Sequence, residues 1–113
     1  MMQHDNSIRL RHMLDHAREA VRMTKGRNRA DLDENRMLEL ALVRLIEIIG
    51  EASTRIDQDI KDSLDNIPWR QVSGMRNRLI HGYDAVDLDV LWDVIQLDLP
   101  KLIVHLSQAL SEK

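Results

Sequence analysis

The segment LELALVRLIEIIGEASTRI, residues 38–56, carries apolar residues at steps that alternate between four and three. The stepped positions are Leu38, Leu42, Leu45, Ile49, Ala52 and Ile56, and the stripe is widened by Ala41, Ile46 and Ile48. A helix places such residues on one face, so the segment predicts one long helix of about 25 residues. Its start is predicted at Asp31, because Asp31 and Glu34 are spaced as in a capping box. The length of the stripe predicts a seam for partner helices, which a homodimer would complete.

One glycine, Gly50, lies inside this long predicted helix. In a helix interior, glycine costs about 1 kcal/mol relative to alanine. We therefore expect a second stretch of backbone to pass close to the helix at this residue.

The segments that flank the long helix also have helical spacing. Apolar residues three and four apart predict a first helix that starts at Asp5 or Ser7 and ends near Gly26. Residues 58–64 leave room for one short accessory helix. Antiparallel neighbours in the same chain would satisfy only part of a helix as long as the one between these two.

The second half of the chain predicts two more main helices. Pro68 suits the first turn of the third main helix, and glycine suits the left-handed exit near residues 81–82. After a turn, the last helix starts at Asp87 or Asp89. Its apolar stripe continues through Pro100, which should kink this helix rather than end it.

Length and composition fit this pattern. The chain has 113 residues, 43% hydrophobic, 31% charged and only 3% aromatic, so a core of Leu, Ile, Val and Met is expected. We predict a single all-α domain over residues 1–113, an antiparallel bundle of four main helices plus the short accessory helix. The chain has no cysteine, which excludes disulfides, thiolate zinc sites and cysteine nucleophiles. No apolar run is long enough to span a bilayer and the first residues do not resemble a signal peptide, so we expect a cytoplasmic protein.

Charge is distributed unevenly along the chain. The formal net charge of −3 argues against indiscriminate binding of polyanions, which requires a broadly basic surface. Residues 66–83 nevertheless contain three arginines, Arg70, Arg76 and Arg78, and no acidic residue. An anion is therefore expected at this stretch, with Arg70 and Arg78 as candidate contacts to its phosphate groups.

Arg76 and His81 are the residues of this stretch that could cleave a phosphodiester. RNA carries its own nucleophile, the 2′-hydroxyl, so histidine for proton transfer and arginine for charge would suffice without a metal. The two would converge if His81 lay in a loosened last helical turn. A base and an acid need two histidines, which a two-fold dimer would supply. By spacing alone, such a pair is more often an ion-binding or capping arrangement, and Tyr83 a half-buried packing residue.

A family resemblance adds to these observations. The run GMRNRLIHGYD, residues 74–84, resembles the Arg-x4-His-x-Tyr signature of the HepT-like toxins, a branch of the HEPN superfamily. Flanking segments resemble the same family in order and spacing, and the resemblance covers nearly the whole chain. These segments are IGEA at 49–52, IPW at 67–69, VLW at 90–92 and LPKL at 99–102.

The resemblance implies a small, dimeric, metal-independent endoribonuclease that is toxic to its own cell. Its cleft would be formed by Arg76 and His81 of two subunits, with Asn77 as a supporting polar residue. The family implies a type VII-like toxin–antitoxin system whose second member is an MntA-type nucleotidyltransferase. This antitoxin would neutralise the toxin by transferring AMP from ATP to Tyr83, and the toxin itself would need no cofactor. Such an adduct would block the cleft and occupy Arg76.

Other polar groups have simpler interpretations. The basic residues in the region 22–29 could contact RNA or the antitoxin, although a solvated loop is the ordinary interpretation. His12 and His16 have the i, i+4 spacing of metal ligands, but the sequence shows no third ligand and solvent-facing side chains are expected. The acidic residues of the long helix lack the Glu-x-x-His pattern of carboxylate metal bundles. These acidic residues are Glu39, Glu47 and Glu51.

Two other functions fit the same sequence. HEPN domains also serve as non-catalytic nucleotide- or partner-binding subunits beside a nucleotidyltransferase, in which case Arg76 would hold a phosphate without cleavage. A purely structural helical dimer would make Arg76 and His81 dispensable. With so few aromatic residues to stack on bases, readout of a single-stranded RNA sequence should be limited, and RNA shape would guide the choice of substrate.

Overall fold

A computed structural model describes residues 4–83 and 85–111 of the chain. Among the described residues, three helices precede a short fourth helix, and a two-stranded β-hairpin lies between the sixth and the seventh helix. The helices of the first half are α1 His4–Thr24, α2 Asp31–Glu34, α3 Arg36–Thr54 and α4 Gln58–Ser63. The second half contains α5 Trp69–Ser73, α6 Met75–Leu79, strands β1 Ile80–His81 and β2 Ala85–Val86, α7 Leu88–Asp93, a π-helical segment Val94–Asp98, and α8 Leu99–Ala109.

The core lies where α1 packs against α3 and α8. Its largest fully buried side chains are aliphatic, and they come from both halves of the chain. Examples are Leu10, Met13, Leu14, Leu42, Ile46, Ile49, Leu79, Leu91, Ile95, Leu99 and Leu106. The structure confirms the predicted all-α bundle, with α1, α2–α3, α5–α6 and α7–α8 as the main helical units and α4 as the accessory helix.

The apolar stripe of α3 is covered by the chain itself. Leu38, Leu42, Leu45 and Ile49 are all buried within the core of this one subunit. The inference that this stripe needs a second subunit is therefore wrong, because α1 and the elements after α4 supply its partners. The exposed apolar side chains of α3 are instead Met37 and Leu40.

Gly50 lies where α5 passes over α3, as its position predicts. A Cβ built on Gly50 would lie 3.4 Å from the carbonyl oxygens of Val72 and Ser73. Ser53 strengthens the same contact, because its buried hydroxyl donates to the Gly50 carbonyl and lies 2.9 Å from the Ser73 hydroxyl. Helix α5, which leads to the candidate site, is thus fixed on the long helix through backbone contact.

Helix α3 starts later than the sequence pattern predicts. The chain leaves helical geometry at Asn35, whose side chain accepts a hydrogen bond from the Leu38 backbone N–H and caps α3. The capping pair at the start of α2 is Asn28 with Asp31, and each side chain accepts from the other residue's backbone N–H. The predicted box of Asp31 with Glu34 is wrong, since polar residues of the preceding turn compete for the same backbone groups.

The third main helix is shorter than predicted and is interrupted. It breaks at Gly74, and α6 ends at Leu79, so His81 lies on a strand rather than in a last helical turn. β1 pairs antiparallel with β2, with Ile80 opposite Val86 and His81 opposite Ala85. Gly82 has a positive φ of 71°, as a left-handed exit residue would, but it serves the turn of a hairpin. The predicted turn at 84–87 is a strand at 85–86, and residue 84 lies outside the described residues.

The last main helix begins where the sequence predicts and passes Pro100 without ending. Asp87 caps α7, because its Oδ1 accepts a hydrogen bond from the Val90 N–H at 3.1 Å. Before Pro100 the backbone adopts π-helical hydrogen bonding over Val94–Asp98, and the Leu99 N–H bonds to the Val94 carbonyl. Pro100 has no backbone N–H to donate, and the π-helical turn allows the helix to continue past this missing hydrogen bond. The bend at Pro100 itself stays a prediction.

No helix among the described residues is long and apolar enough to cross a membrane.

Candidate active site

Helix α6 presents two arginines to opposite sides of itself. Its buried residues Met75 and Leu79, spaced four apart, fix one face of the helix on the core. Two-residue spacing corresponds to about 200° of rotation, so Arg76 and Arg78 diverge. Arg76 contacts Glu47 of α3, whereas Arg78 contacts Asp98 before α8, with Nη1 donating to Oδ2 at 3.1 Å.

The Arg76 guanidinium is held in one orientation by Glu47. Arg76 Nε donates to Glu47 Oε2 at 2.7 Å, and the Glu47 side chain is only 28% exposed. The other oxygen of Glu47, Oε1, lies 3.8 Å from Nη1 of Arg44. Within the described part of the chain, Nε makes the one hydrogen bond of the Arg76 side chain. Both terminal NH₂ groups therefore remain for an anion, in the fork geometry that suits a phosphate.

Arg76 lies at the edge of a groove between α3, α5 and α6, with a volume of about 340 Å³. The groove includes Gly50, where α3 and the Ser73 backbone of α5 pack closely. Asn77 also lines the groove, beside Arg76. The complete lining is Arg44, Glu47, Gly50, Glu51, Thr54, Ser73, Arg76 and Asn77.

His81 is exposed and lies beside a different carboxylate. Its Nε2 is 3.4 Å from Oδ2 of Asp87, the cap of α7, and the His81 side chain is 65% exposed. The pKa of the Asp87 carboxyl is lowered from its ordinary value, first because the Val90 backbone N–H donates to it and then because His81 lies beside it. Asp87 therefore stays ionised near neutrality and holds the imidazole ring near the start of α7.

Within one subunit the two candidate catalytic residues contact different carboxylates. No hydrogen bond or ion pair joins Arg76 to His81 in the described residues, and each binds a carboxylate from a different element. The expected position of His81 in a loosened helical turn is wrong, because His81 belongs to the hairpin, and the convergence of the two side chains stays a prediction. A single subunit thus offers one fixed arginine and one fixed histidine, without a second proton-transfer group between them.

Tyr83 lies in the turn of the hairpin and is fully exposed, with a relative accessibility of 102%. The interpretation of Tyr83 as a half-buried packing residue is therefore wrong. It follows directly after Gly82, whose positive φ turns the chain outward from β1. Its phenol is open to solvent.

The remaining basic candidates differ in how they are engaged. Arg70 is exposed on α5 and does not line the groove of Arg76. In the region 22–29, Arg29 binds Asp89 at 2.7 Å and Asp33 at 3.2 Å, and the hydrogen bond to Asp89 is the main cause of its raised pKa. Arg29 therefore ties the loop before α2 to the start of α7.

The candidate metal ligands are arranged differently from a metal site. The His16 ring binds the His12 backbone carbonyl at 2.6 Å, and the two rings meet edge to face with centroids 6.3 Å apart. Glu39, Glu47 and Glu51 each pair with an arginine instead of converging. In the described ranges no group of three His, Cys, Asp or Glu side chains could hold a metal ion.

Sequence reasoning missed the partners of the two candidate catalytic residues. Glu47 figured only as a metal ligand, and Asp87 only as a helix start. Glu47 and Arg76 are 29 residues apart, so no helical periodicity relates them. A weak signal existed for Asp87, because an antiparallel strand pair after His81 would return the chain to it.

Comparison with known proteins agrees with the geometry. The family described as Ribonuclease HepT-like matches residues 13–109. A protein of Methanocaldococcus jannaschii, provisionally named as an RNase, is 35% identical over 102 residues, which cover 90% of this chain and 94% of the relative. A similar provisional RNase of Caldanaerobacter subterraneus is 30% identical over 92% of this chain and 93% of its own length. The protein named probable ribonuclease HepT of Thermococcus cleftensis is 47% identical over 57% of this chain and 58% of the relative. None of the solved structures matches the chain.

Proposed function

Because this chain belongs to the HepT-like ribonuclease family, we propose that it is a toxin that cleaves RNA as a metal-independent endoribonuclease. Arg76 and His81 are its catalytic residues, and Asn77 supports Arg76. The observation that carries the proposal is the guanidinium of Arg76, fixed through Nε by Glu47 at 2.7 Å with its terminal nitrogens open to the groove. A preorganised cation of this kind stabilises the negative charge that develops on the phosphate oxygens during cleavage.

The reaction uses only the substrate and the side chains of the protein. A neutral His81 removes the proton of the 2′-hydroxyl, and the 2′-oxygen attacks the adjacent phosphorus. The terminal N–H groups of Arg76 bind the phosphate oxygens in the pentacoordinate transition state. A second, protonated His81 donates its proton to the leaving 5′-oxygen, which yields a 2′,3′-cyclic phosphate and a 5′-hydroxyl. The chain needs no cofactor for these steps.

The need for two histidines leads to a homodimer with a composite cleft. Each subunit contributes one His81, which lies beside Asp87, so the second proton-transfer group would come from the partner. A surface for this contact exists on α3, where Met37 is 82% and Leu40 is 52% exposed. Leu40 follows Met37 by three residues and precedes Arg44 by four, so all three lie on one face of α3. Arg44 also lines the groove. A partner on this face would lie beside Arg76 and would cover exposed apolar area.

Control of the toxin is proposed to act through Tyr83. In a type VII-like system, a cognate MntA-type nucleotidyltransferase transfers AMP from ATP to the phenol of Tyr83, with release of pyrophosphate. The full exposure of Tyr83 supports this proposal. The adduct adds a negative phosphodiester two residues from His81, which would repel RNA and compete for Arg76. Toxin, substrate and antitoxin would meet in the cytoplasm.

The direct test is expression of the chain from a tightly controlled promoter, with growth and total RNA as readouts. We expect growth arrest and RNA fragments with 2′,3′-cyclic phosphate ends for the wild type, and neither for Arg76→Ala or His81→Ala. His12→Ala is the matched control, because His12 is an exposed histidine on α1 that does not line the groove of Arg76. Intact RNA in cells that express wild-type chain without AMP on Tyr83, shown by mass spectrometry, would refute the ribonuclease.

The same experiment separates the alternatives. A non-catalytic nucleotide- or partner-binding subunit would keep its biological effect in the His81→Ala variant, because a phosphate anchor needs no proton transfer. The Arg76–Glu47 arrangement suits such an anchor as well. A purely structural helical dimer would tolerate both substitutions.

A further inference from the structure

A second cavity lies on the side of α6 that faces away from the Arg76 groove. It is formed between α5, α6 and α8 and has a volume of about 280 Å³. Pockets for drug-sized ligands begin at about 300 Å³, so this cavity suits one small unit. Its lining is Asn66, Pro68, Gln71, Val72, Met75, Arg78, Asp98, Lys101, Leu102 and His105. We call it the α8 cavity.

The α8 cavity combines an apolar floor with a rim of hydrogen-bond donors. The floor consists of Val72, Met75 and Leu102, which are 4%, 2% and 4% exposed. The rim carries the cations Arg78 and Lys101 and one carboxylate, Asp98. An apolar surface beside excess positive charge suits a ligand that is flat and uncharged in one part and anionic in another.

The rim groups are fixed by their neighbours. Arg78 Nη1 donates to Asp98 at 3.1 Å, so the guanidinium is oriented across the mouth of the cavity. His105 Nδ1 lies 2.9 Å from the Asn66 amide nitrogen, and as an acceptor there it would carry its proton on Nε2. Gln71 adds an exposed amide to the same rim, and paired amide donors and acceptors match the edges of nucleobases.

We propose that the α8 cavity is a nucleotide subsite, which holds one base of the RNA substrate against Met75 and Leu102 and its phosphate at Lys101 and Arg78. The proposal rests on the ribonuclease function and deepens it. A helix with its side chains is about 10–12 Å wide, so a strand that crosses α6 from Arg76 reaches the cavity within a few nucleotides. Gln71 would then discriminate between bases near the cleaved bond. An apolar slot of aliphatic side chains would take the place of aromatic stacking in a chain that has only three aromatic residues, Trp69, Trp92 and Tyr83.

Binding can be measured apart from cleavage. We would titrate ¹⁵N-labelled His81→Ala chain with each of the four ribonucleoside 5′-monophosphates and follow the amide resonances by NMR. We expect at least one nucleotide to shift the side-chain amide of Gln71 and the backbone amides of residues 71–75 and 101–105. Gln71→Ala and Lys101→Ala should each weaken this binding about fivefold, near the lower end for a base or phosphate contact. Absence of shifts in these residues would overturn the proposal.

Two control variants test whether the effect belongs to the cavity. Gln108→Ala removes an exposed glutamine of α8 that does not line the cavity, and Arg55→Ala removes an exposed cation after α3 that does not line it either. Both should bind nucleotides as the parent chain does. Equal weakening by Arg55→Ala and Lys101→Ala would mean that overall charge, and not the α8 cavity, holds the nucleotide.

Cleavage by the active chain then distinguishes an RNA subsite from a site for free nucleotide. Gln71→Ala should reduce the base preference at one side of the cut about fivefold, and Lys101→Ala should lower the slope of log KM against log salt by about one. Nucleotide binding with an unaltered cleavage pattern would overturn the RNA subsite. RNA cleavage without binding in the cavity would refute only this inference, whereas binding without any cleavage would refute the proposed ribonuclease.

Discussion

Helix α3 and the segment from Met75 to Asp87 differ in length and in how far their side chains are buried. Helix α3 runs for 19 residues, and its inner face is sealed in the core by side chains such as Leu42 and Ile46, both 0% exposed. The segment 75–87 consists of a five-residue helix and a hairpin with two residues per strand. Its polar side chains face solvent, and they include Arg76, Asn77, Arg78, His81 and Tyr83.

The short segment is held at few points, and this leaves its surface free for chemistry. Met75 and Leu79 anchor α6, and the Asp87 backbone N–H donates to the Leu79 carbonyl at 2.7 Å, which closes the hairpin. Burial stabilises α3, whereas hydrogen bonds and carboxylate contacts orient the site. The comparison teaches that substitutions in α3 should change the free energy of unfolding, and that substitutions in the segment should change the rate of cleavage.

The largest effect on stability is expected from Leu42→Ala in α3. Removal of a fully buried leucine side chain should lower the free energy of unfolding by about 2–5 kcal/mol, the cost of lost burial plus a cavity. Urea titration followed by circular dichroism measures this change. Cleavage per folded molecule should stay at the wild-type rate, since α3 contributes the groove through its outer residues. A Leu42→Ala variant that is as stable as the wild type but cleaves RNA more slowly would contradict the separation of stability in α3 from catalysis in the segment 75–87.

Arg76→Lys should produce the converse result. A lysine has one charged nitrogen, so it cannot bind Glu47 and present a fork to the phosphate at the same time. We expect kcat to fall about 100- to 1,000-fold, as for loss of one transition-state donor, with the urea midpoint within error of the wild type. Arg18→Lys on α1 is the matched control and should retain full activity, because Arg18 donates to the Ser107 hydroxyl and does not line the groove of Arg76. A conservative replacement that still cleaves RNA would show that charge without orientation is enough.

Glu47 connects the two regions, because it belongs to α3 and acts on Arg76. Glu47→Ala should lower kcat about tenfold with a smaller effect on KM, since the guanidinium loses its orientation before it loses its charge. Glu47→Gln keeps an acceptor for Arg76 Nε and should restore most of the rate. Stability should change by less than about 1 kcal/mol, as expected for a partly exposed ion pair.

The two Glu47 variants can contradict the role of Glu47 in positioning Arg76. If both substitutions raise the rate, the carboxylate restrains Arg76 from the phosphate instead of aiming it. If Glu47→Gln is as slow as Glu47→Ala, the negative charge rather than the hydrogen bond is what matters. Stopped-flow cleavage of a fluorescent RNA at saturating concentration separates these cases.

The two regions also differ in how far the sequence predicts them. The periodicity of Leu38, Leu42, Leu45 and Ile49 predicts the buried face of α3, because one repeated spacing determines one face of a helix. The same reasoning predicts a third helix that runs as far as His81, since Leu79 and Ile80 continue the apolar spacing after Met75. Two-residue strands are too short to show alternation, so the hairpin has no periodic signal.

The site is predictable in its residue types and not in its contacts. The stretch without acids and the Arg-x4-His-x-Tyr resemblance together single out Arg76, His81 and Tyr83. Their partners come from distant parts of the chain or across the hairpin, and pairs such as Arg76 with Glu47 depend on how α6 lies on α3. Tertiary packing determines these contacts, and the burial pattern of one helix carries no information about them.

The smallest expected effect comes from the same substitution made in both regions. Gly50→Ala in α3 places a Cβ in ordinary contact, 3.4 Å from two carbonyl oxygens, and gains helix propensity, so stability should rise by up to about 1 kcal/mol. In Gly82→Ala the added Cβ would meet open space, but alanine would have to keep a φ of 71°. This strain in the hairpin should lower the free energy of unfolding by about 1–2 kcal/mol. Thermal unfolding of both variants gives the two signs. Opposite signs mean that helix propensity limits the stability of α3 and that backbone conformation limits the stability of the hairpin. A loss of stability for Gly50→Ala would instead show that α5 packs on α3 too closely for even one methyl group.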